Sequence, residues 1–271
     1  MRRPLLHAVA IAALAACGSA PSQIAQAANA EADERPFTMT EIAKFETPWA
    51  MAFLPGSGVP LTKMALVTER DGRLWLLDTA TGKSQAVGGI PKVKVEGQGG
   101  LGDVVVHPEF AGNRRVYLSY VEAGPADTSG AALGYGRLII GPGAPRIEGF
   151  RVIWRQTPKV TDNGHFSHRI AFAPDGSMFV SSGERQKMQP AQDLGSDLGK
   201  ILHLTAEGLP IAGGPFVSRG LRARSYWSYG HRNVLGLAFA PDGRLWETEM
   251  GPEGGDELNL ILPGRNYGWP V

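Results

Sequence analysis

The sequence predicts an all-β fold of the β-propeller type, from a repeated phrase, its spacing and its turn residues. The phrase Ala-Phe-Ala-Pro-Asp-Gly occurs at residues 171–176 and recurs unchanged at 238–243. Weaker copies stand at 52–56 and 105–108. The prolines of the four copies lie roughly 50–70 residues apart, about the length of one propeller blade, with almost no helical periodicity between them. A β-sandwich, the alternative all-β fold, would not need a repeated phrase.

Each copy of the phrase predicts one hairpin. An apolar strand ends at the proline, which fixes φ and cannot donate a ladder hydrogen bond, and Asp-Gly then supplies the turn. A second strand begins with large apolar residues. We place these second strands at residues 74–77, 116–118, 178–180 and 245–246. Four copies predict about four blades, in one propeller domain over residues 46–271.

The first 30 residues have the features of an export signal peptide. Arg2 and Arg3 precede an apolar run at 8–16, which is shorter than the roughly 20 apolar residues that span a bilayer. The segment Leu-Ala-Ala-Cys-Gly at 14–18 resembles a bacterial lipobox, in which Cys17 would be acylated and become the mature N-terminus.

Cleavage within Ala-Gln-Ala at 25–27 is the alternative to lipidation. Residues 31–45 are polar, and we interpret them as a linker to the first strand. We therefore expect a periplasmic protein, which a lipid on Cys17 would anchor to the outer membrane of a Gram-negative bacterium.

Charge and composition exclude several functional classes. The 27 basic and 26 acidic residues give a net charge of +1, which offers no electrostatic case for nucleic-acid binding. Cys17 is the only cysteine, so no intrachain disulfide forms. The sequence also lacks a His/Cys cluster typical of zinc, the Gly-x-Ser-x-Gly of acyl hydrolases and a dinucleotide-binding glycine motif.

Several polar motifs follow one another in the propeller region. The most informative is HFSHRIAFAPDGSMFVSSGER at 165–185, and Tyr-Gly-His-Arg-Asn stands at 229–233. The others lie at 97–101, 192–201 and 251–270. Together these motifs resemble the soluble, quinone-dependent glucose/sorbosone dehydrogenase family, and the resemblance covers residues 45–271.

The resemblance implies a six-bladed propeller that carries pyrroloquinoline quinone (PQQ) and calcium. It implies oxidation of the C1 hydroxyl of an aldose to the lactone, with electrons passing to a periplasmic acceptor. Because the family has six blades and this chain about four, we expect the propeller to be C-terminally incomplete. The sugar and the oligomeric state are left open.

His165 is the candidate catalytic base, because imidazole titrates nearest neutrality and residue 165 lies just before a predicted strand. Glu184 ends the partner strand and is the candidate carboxylate that orients His165. Similar enzymes carry Asp there, one methylene shorter. Arg232 and Asn233 match the family's Arg-Asn pair, which implies cofactor binding, with the guanidinium of Arg232 also catalytic. Gln98 matches a substrate-binding glutamine.

The resemblance also implies calcium ligands. Gly251 and Pro252 match the pair whose backbone carbonyls hold the calcium that anchors the quinone, and calcium accepts main-chain oxygen ligands. Glu257 and the carbonyl of Tyr267 match part of a second calcium site.

Two hypotheses from other classes remain. One is a calcium-dependent lactonase propeller, which requires a central metal held by carboxylates and amides from several blades. The other is a non-catalytic binding propeller that lacks the cofactor.

The remaining histidines have structural interpretations or none. We expect His107 and His203 to be structural, since one lies in a hairpin phrase and the other on an apolar strand. His168 replaces a small or polar residue of the family, and Gly102 replaces an apolar one. The sequence does not explain either replacement.

Overall fold

A computed structural model describes residues 36–55 and 63–271 of the chain. The predicted signal peptide at 1–30, with Cys17, lies outside the described residues. Residues 36–45, the described part of the predicted linker, contain neither helix nor strand, and the first strand begins at Pro48. Within the described ranges, no helix is long and apolar enough to span a bilayer.

The strands form four antiparallel sheets, each built from strands that are consecutive in the chain. Each sheet is one blade; in the described residues the first three blades have four strands and the last has three. One short helix, α1 (Phe110–Asn113), connects β5 to β6. The strands are β1 (Pro48–Phe53), β2 (Met64–Glu69), β3 (Arg73–Asp78), β4 (Ser84–Ala86), β5 (Leu101–Val106), β6 (Arg115–Ala123), β7 (Ser129–Ile139), β8 (Arg146–Arg155), β9 (Ser167–Phe172), β10 (Met178–Ser182), β11 (Lys200–Leu204), β12 (Tyr226–Tyr229), β13 (Val234–Phe239), β14 (Leu245–Glu249) and β15 (Glu257–Leu260).

The first strand of each blade faces the centre of the molecule. β1 contacts β5, β5 contacts β9, and β9 contacts β13. A cavity of about 350 Å³ is lined by all four strands, among others by Met51, Asp103, Arg169 and Gly236. Blades whose first strands surround a common space form a propeller, so the predicted fold class is confirmed.

The repeated phrase makes the predicted turn. The N–H of Gly176 donates to the carbonyl of Ala173 (3.0 Å), and the N–H of Ala173 donates to the carbonyl of Ser177 (2.8 Å). Asp175 Oδ1 accepts the N–H of Ser177 at 2.9 Å. Gly176 has φ of +84°, a left-handed conformation that glycine adopts without steric cost. The second intact copy repeats this geometry, with φ of +82° at Gly243.

The first two blades depart from the predicted hairpin. In the first blade the second strand is β2, so its predicted position at 74–77 is wrong. Those residues belong to β3, because Asp71 and Gly72 form the turn between β2 and β3, where the Gly72 N–H donates to the Glu69 carbonyl (3.0 Å). In the second blade no Asp-Gly follows residues 105–108, and α1 makes the connection.

Apolar cores lie between neighbouring blades. Side chains alternate along a strand, so each middle strand contributes to two cores. In β6, Val116 and Leu118 pack towards the first blade, whereas Tyr117 packs against Ile170 and Met178 of the third. All five side chains are at least 96% buried, and each contributes about 1.5–3 kcal/mol when fully buried.

The histidines predicted to be structural lie in packed surroundings. His203 stacks on Phe179 with ring centroids 4.2 Å apart, and its Nε2 lies 2.9 Å from Ser177 Oγ. His107 Nδ1 accepts the N–H of Glu109 at 3.0 Å.

One irregularity recurs in every blade. The ladder between the first and second strands shifts register near the beginning of β1, β5, β9 and β13. Bulges of this kind re-aim the side chains beyond them and are frequent beside active sites. The same end of each blade is therefore shaped by an irregular ladder.

Candidate active site

His165 and Glu184 lie opposite each other at the irregular end of the β9–β10 hairpin. After the register shift, the ladder pairs Ser167 with Ser182. Beyond the ends of both strands, the Arg185 N–H donates to the His165 carbonyl at 3.3 Å, and the neighbouring Glu184 side chain reaches the His165 ring.

The two side chains form a buried dyad. His165 Nδ1 is hydrogen-bonded to Glu184 Oε1. His165 is 6% exposed and Glu184 is fully buried. Glu184 Oε2 accepts the N–H of Met188 at 2.6 Å. Burial raises the pKa of Glu184, but the hydrogen bonds from His165 and Met188 outweigh burial and the pKa is lowered, so Glu184 is ionised at neutral pH. Among the described residues, none hydrogen-bonds to His165 Nε2, which leaves that nitrogen available to a substrate.

The backbone around this dyad adopts conformations that are uncommon outside glycine. Residues with positive φ flank both members, in a region where side chains are sterically crowded. Such conformations concentrate at functional sites. The residues with positive φ are His165 (+49°), Ser167 (+55°), His168 (+59°), Arg185 (+63°), Gln186 (+59°) and Met188 (+61°).

Arg185 holds the loop that carries His165. Its Nε donates to the Gly164 carbonyl (3.0 Å), its Nη1 to the Ser129 carbonyl (2.6 Å), and its Nη2 to the Asp162 carbonyl. The guanidinium lies 3.7 Å from the ring centroid of Phe166. Burial lowers the pKa of Arg185 to about 10, which leaves it charged at neutral pH. Sequence reasoning missed Arg185, whose only signal is its position beside Glu184.

Gln98, the predicted substrate-binding residue, reaches the same loop. Its Oε1 accepts the N–H of His165 at 2.8 Å, and its own N–H donates to the Asn163 carbonyl at 2.7 Å. The structure therefore brings Gln98 and His165 together. The residue is exposed, so its amide nitrogen remains accessible.

Arg232 and Asn233 lie in the turn before β13, beside the dyad. The carbonyl of Arg232 accepts the N–H of Glu184 at 3.0 Å, and Asn233 Oδ1 accepts Ser167 Oγ–H at 3.2 Å. These contacts join the third and fourth blades. Glu184 and Arg232, almost fifty positions apart in the sequence, thus meet through backbone atoms.

Only some of the hydrogen-bond donors of the Arg232 side chain have acceptors among the described residues. Nη1 donates to the carbonyls of Met250 (2.8 Å) and Gly251 (3.1 Å), and the guanidinium lies 5.1 Å from the ring centroid of Trp269. Nε is buried and has no partner among the described residues. A buried donor without an acceptor is costly, so Nε is a candidate contact for a bound acceptor.

The ligands predicted for two separate calcium sites line one small cavity together with Arg232. Gly251, Pro252, Glu257 and Tyr267 surround a volume of about 130 Å³. This volume suits an ion with a few waters and is below the roughly 300 Å³ of small-molecule sites. The Gly251 carbonyl already binds a cationic group, the Arg232 guanidinium. Because calcium prefers carbonyl and carboxylate oxygens, these residues fit calcium.

A buried His-Glu-Glu group, of which Glu249 lines this cavity, was missed by sequence reasoning. Side-chain atoms of His231, Glu247 and Glu249 lie within 4.8 Å of one another. His231 stacks on Tyr267, with ring centroids 4.7 Å apart. Burial and then the nearby Glu249 carboxylate raise the pKa of Glu247 to about 8. The alternation of Glu247 and Glu249 along β14 was the available signal, since it places both on one face.

Comparisons with known proteins agree in family and fold. The family model described as Glucose / Sorbosone dehydrogenase matches residues 45–271. The aldose sugar dehydrogenase YliI of Escherichia coli (strain K12) is 41% identical over 229 residues, covering 84% of this chain and 60% of that protein. This chain therefore spans less than two thirds of the length of that relative.

Solved structures are similar over the same region. A crystal structure of a glucose dehydrogenase has a TM-score of 0.77 and 46% identity, covering 83% of this chain and 63% of that one. The PQQ-bound form of an aldose sugar dehydrogenase from Streptomyces coelicolor has a TM-score of 0.70 and 32% identity, covering 84% and 63%.

Proposed function

Because this chain belongs to the glucose/sorbosone dehydrogenase family, we propose that it is part of a PQQ-dependent dehydrogenase that oxidises the C1 hydroxyl of aldoses to the lactone. The observation that carries this proposal is the buried His165–Glu184 dyad, which is joined to Arg232 through the Glu184 N–H. A base, its orienting carboxylate and a cation thus lie on adjoining blades.

His165 is the base in this proposal. Nε2 accepts the proton of the C1 hydroxyl, while Nδ1–H donates to Glu184. The ionised Glu184 selects this tautomer and stabilises the imidazolium that forms. General-base catalysis of this kind contributes about 10²–10⁴-fold in rate.

The chemistry that a bound quinone would supply is acceptance of a hydride: C1 would give up the hydride and the hydroxyl its proton to His165, so the sugar would lose two electrons and two protons overall. The Arg232 guanidinium is the cation of this site, and its Nε, which has no partner among the described residues, is the donor that would contact a quinone oxygen. Asn233 is fixed by Ser167 in the same turn. Gln98, whose Oε1 is held by His165, presents its amide nitrogen to a sugar hydroxyl.

Calcium would bind at the small cavity. Carbonyl oxygens of Gly251 and Pro252 and the carboxylate of Glu257 are its proposed ligands, with the Tyr267 carbonyl beside them. Glu257 is exposed and hydrogen-bonded only to Asn259 among the described residues, at 2.8 Å. Its carboxylate can therefore turn towards an ion at little cost.

The central cavity gives little support to a lactonase. A metal held by carboxylates from several blades would require more acidic groups than Asp103, the one carboxylate among the described residues that line it. Asp103 is paired with Arg169 at 3.2 Å and accepts the Ile170 N–H at 2.9 Å.

The test is reconstitution of the complete protein with PQQ and calcium, followed by aldose oxidation with a dye acceptor. We expect turnover that requires quinone, calcium and sugar together, and a lactone as product. Turnover without quinone, or hydrolysis of a lactone in place of oxidation, would contradict the proposal.

Export is a separate proposal, supported by residues 1–30 of the sequence. We propose that the protein reaches the periplasm, that Cys17 carries the lipid, and that a periplasmic electron acceptor reoxidises the enzyme. Intact-mass analysis of the mature protein tests lipidation: an unmodified chain that begins near Ala28 would overturn it.

A further inference from the structure

Glu249 binds three consecutive residues of the Arg232 turn. Its Oε1 accepts the N–H groups of Arg232 and of Asn233, the second at 2.8 Å. Its Oε2 lies 3.2 Å from His231 Nδ1. One carboxylate at the end of β14 therefore fixes the backbone on both sides of Arg232.

The turn held by Glu249 is connected to the dyad on its other side. The Arg232 carbonyl accepts the Glu184 N–H at 3.0 Å, and the Asn233 carbonyl accepts the Met250 N–H at 3.1 Å. A displacement of this turn would therefore move both the guanidinium and the carboxylate that orients His165.

The surroundings of Glu249 are buried and packed. It is 6% exposed, and His231 beside it is fully buried. His231 Nε2 lies 2.8 Å from Ser228 Oγ, and its ring stacks on Tyr267. Hydrogen bonds to a buried carboxylate are shorter and stronger than those between neutral groups, so this contact resists displacement.

The side chains of His231, Glu247 and Glu249 have the spacing of a metal-binding group. The oxygens of Glu249, however, are already occupied by backbone N–H groups and by His231. This carboxylate has the contacts of an anchor for the backbone.

We infer that Glu249 is a positioning residue, which fixes residues 231–233 so that Arg232 and Asn233 meet the quinone. The inference rests on the proposed function for its consequence in binding. The structural claim, that Glu249 fixes the turn by accepting the N–H groups of Arg232 and Asn233, does not depend on quinone chemistry.

The test compares Glu249→Ala and Glu249→Gln in the complete protein. A glutamine oxygen can still accept both N–H groups, and the alternative His231 tautomer can face its amide. We expect Glu249→Ala to weaken PQQ binding about tenfold or more, measured by fluorescence quenching with calcium present, and Glu249→Gln to restore it to within about threefold. Asp242→Asn, at the opposite end of the same hairpin, is the control and should bind as the wild type does.

Two results would overturn the inference. One is a folded Glu249→Ala protein with wild-type affinity for PQQ, and the other is a Glu249→Gln protein as weak as Glu249→Ala. If Glu249→Ala does not fold, Glu249→Asp replaces it, because the shorter side chain keeps the charge but loses reach.

Amide hydrogen exchange separates this inference from the proposed function. The N–H groups of Arg232 and Asn233 should exchange faster in Glu249→Ala and at the wild-type rate in Glu249→Gln. If the wild type does not bind PQQ, the proposed function fails while this exchange pattern still decides whether Glu249 holds the turn. Unchanged exchange in Glu249→Ala would refute the hold.

Discussion

The ring of His168 occupies the space that a side chain at Gly102 would need. A Cβ built on Gly102 would lie 1.9 Å from His168 Cε1 and 2.4 Å from Nδ1. His168 is 2% exposed, and its Nδ1 lies 2.8 Å from Ser119 Oγ. The two replacements that the sequence left unexplained therefore belong together: the glycine on β5 makes room for the histidine on β9.

Gly102→Ala should destabilise the protein by about 1–3 kcal/mol, because the methyl group overlaps the His168 ring. The φ angle of Gly102 is not in the left-handed region, so alanine adds no backbone strain. In the His168→Ala background the same substitution should cost much less. Urea unfolding of the four proteins of this double-mutant cycle measures the coupling. Equal costs in both backgrounds would refute the packing relationship.

Stability should fall below pH 6.5 because of His168. Burial, followed by the charge of Arg169, lowers the pKa of His168 to about 3. As pH falls from 6.5 towards 3, the unfolded chain binds a proton that the folded protein does not, so unfolding becomes more favourable by about 1.4 kcal/mol per pH unit. Unfolding free energies measured from pH 7.5 to 5 should show this slope below pH 6.5 in the wild type and a smaller one in His168→Gln. Identical slopes in the wild type and His168→Gln would contradict the assignment of this pH dependence to His168.

His165→Ala should reduce turnover about 10²–10⁴-fold in the reconstituted protein, with PQQ affinity nearly unchanged. Glu184→Gln should also lower kcat, because the amide no longer stabilises the imidazolium. His107→Gln, a histidine of the blade hairpins, is the matched control. Steady-state kinetics with quinone titration checks both variants, and near-wild-type turnover in His165→Ala would exclude it as the base.

Arg185→Met should destabilise the protein by about 2–4 kcal/mol, since it leaves the carbonyls of Asp162 and Gly164 without their donor and removes one of two donors to the Ser129 carbonyl. Arg185→Lys keeps the charge but not the planar fork, so we expect partial recovery of stability and reduced kcat. Arg219→Lys, at an exposed arginine, should change neither. Urea unfolding and steady-state kinetics measure these effects. An Arg185→Lys protein with wild-type stability and kcat would show that the planar guanidinium is dispensable.

Calcium should raise the melting temperature of the wild type, and a chelator should reverse the shift. Free calcium at 100 times its dissociation constant stabilises a folded protein by about 2.7 kcal/mol. Glu257→Gln should reduce this gain, because a charged ligand is lost from the cavity. Glu207→Gln removes an exposed carboxylate elsewhere and should leave the gain intact. A wild type whose melting temperature ignores calcium would contradict the proposed site.

The sequence determined the architecture because the relevant signals are local. The Pro-Asp-Gly turn at 174–176 needs only neighbouring residues, with glycine at the left-handed position. Alternation along β6 likewise assigns Val116 and Tyr117 to opposite faces. The second strand of the first blade was placed wrongly because its Asp-Gly pair, Asp71-Gly72, lies between β2 and β3 and not between β1 and β2.

The geometry of the site was decided by contacts that no local pattern encodes. Beyond the β9–β10 ladder, it is the backbone of Arg185 that bonds to the His165 carbonyl, whereas the side chain of Glu184 bonds to the His165 ring. The link between Glu184 and Arg232 runs from a backbone N–H to a backbone carbonyl, groups that nearly every residue carries. The hold of Glu249 on this turn also ends on backbone N–H groups, so residue types alone could not reveal it. Residue identity determines which chemical groups are present, and the packing of adjoining blades determines which of them are in contact.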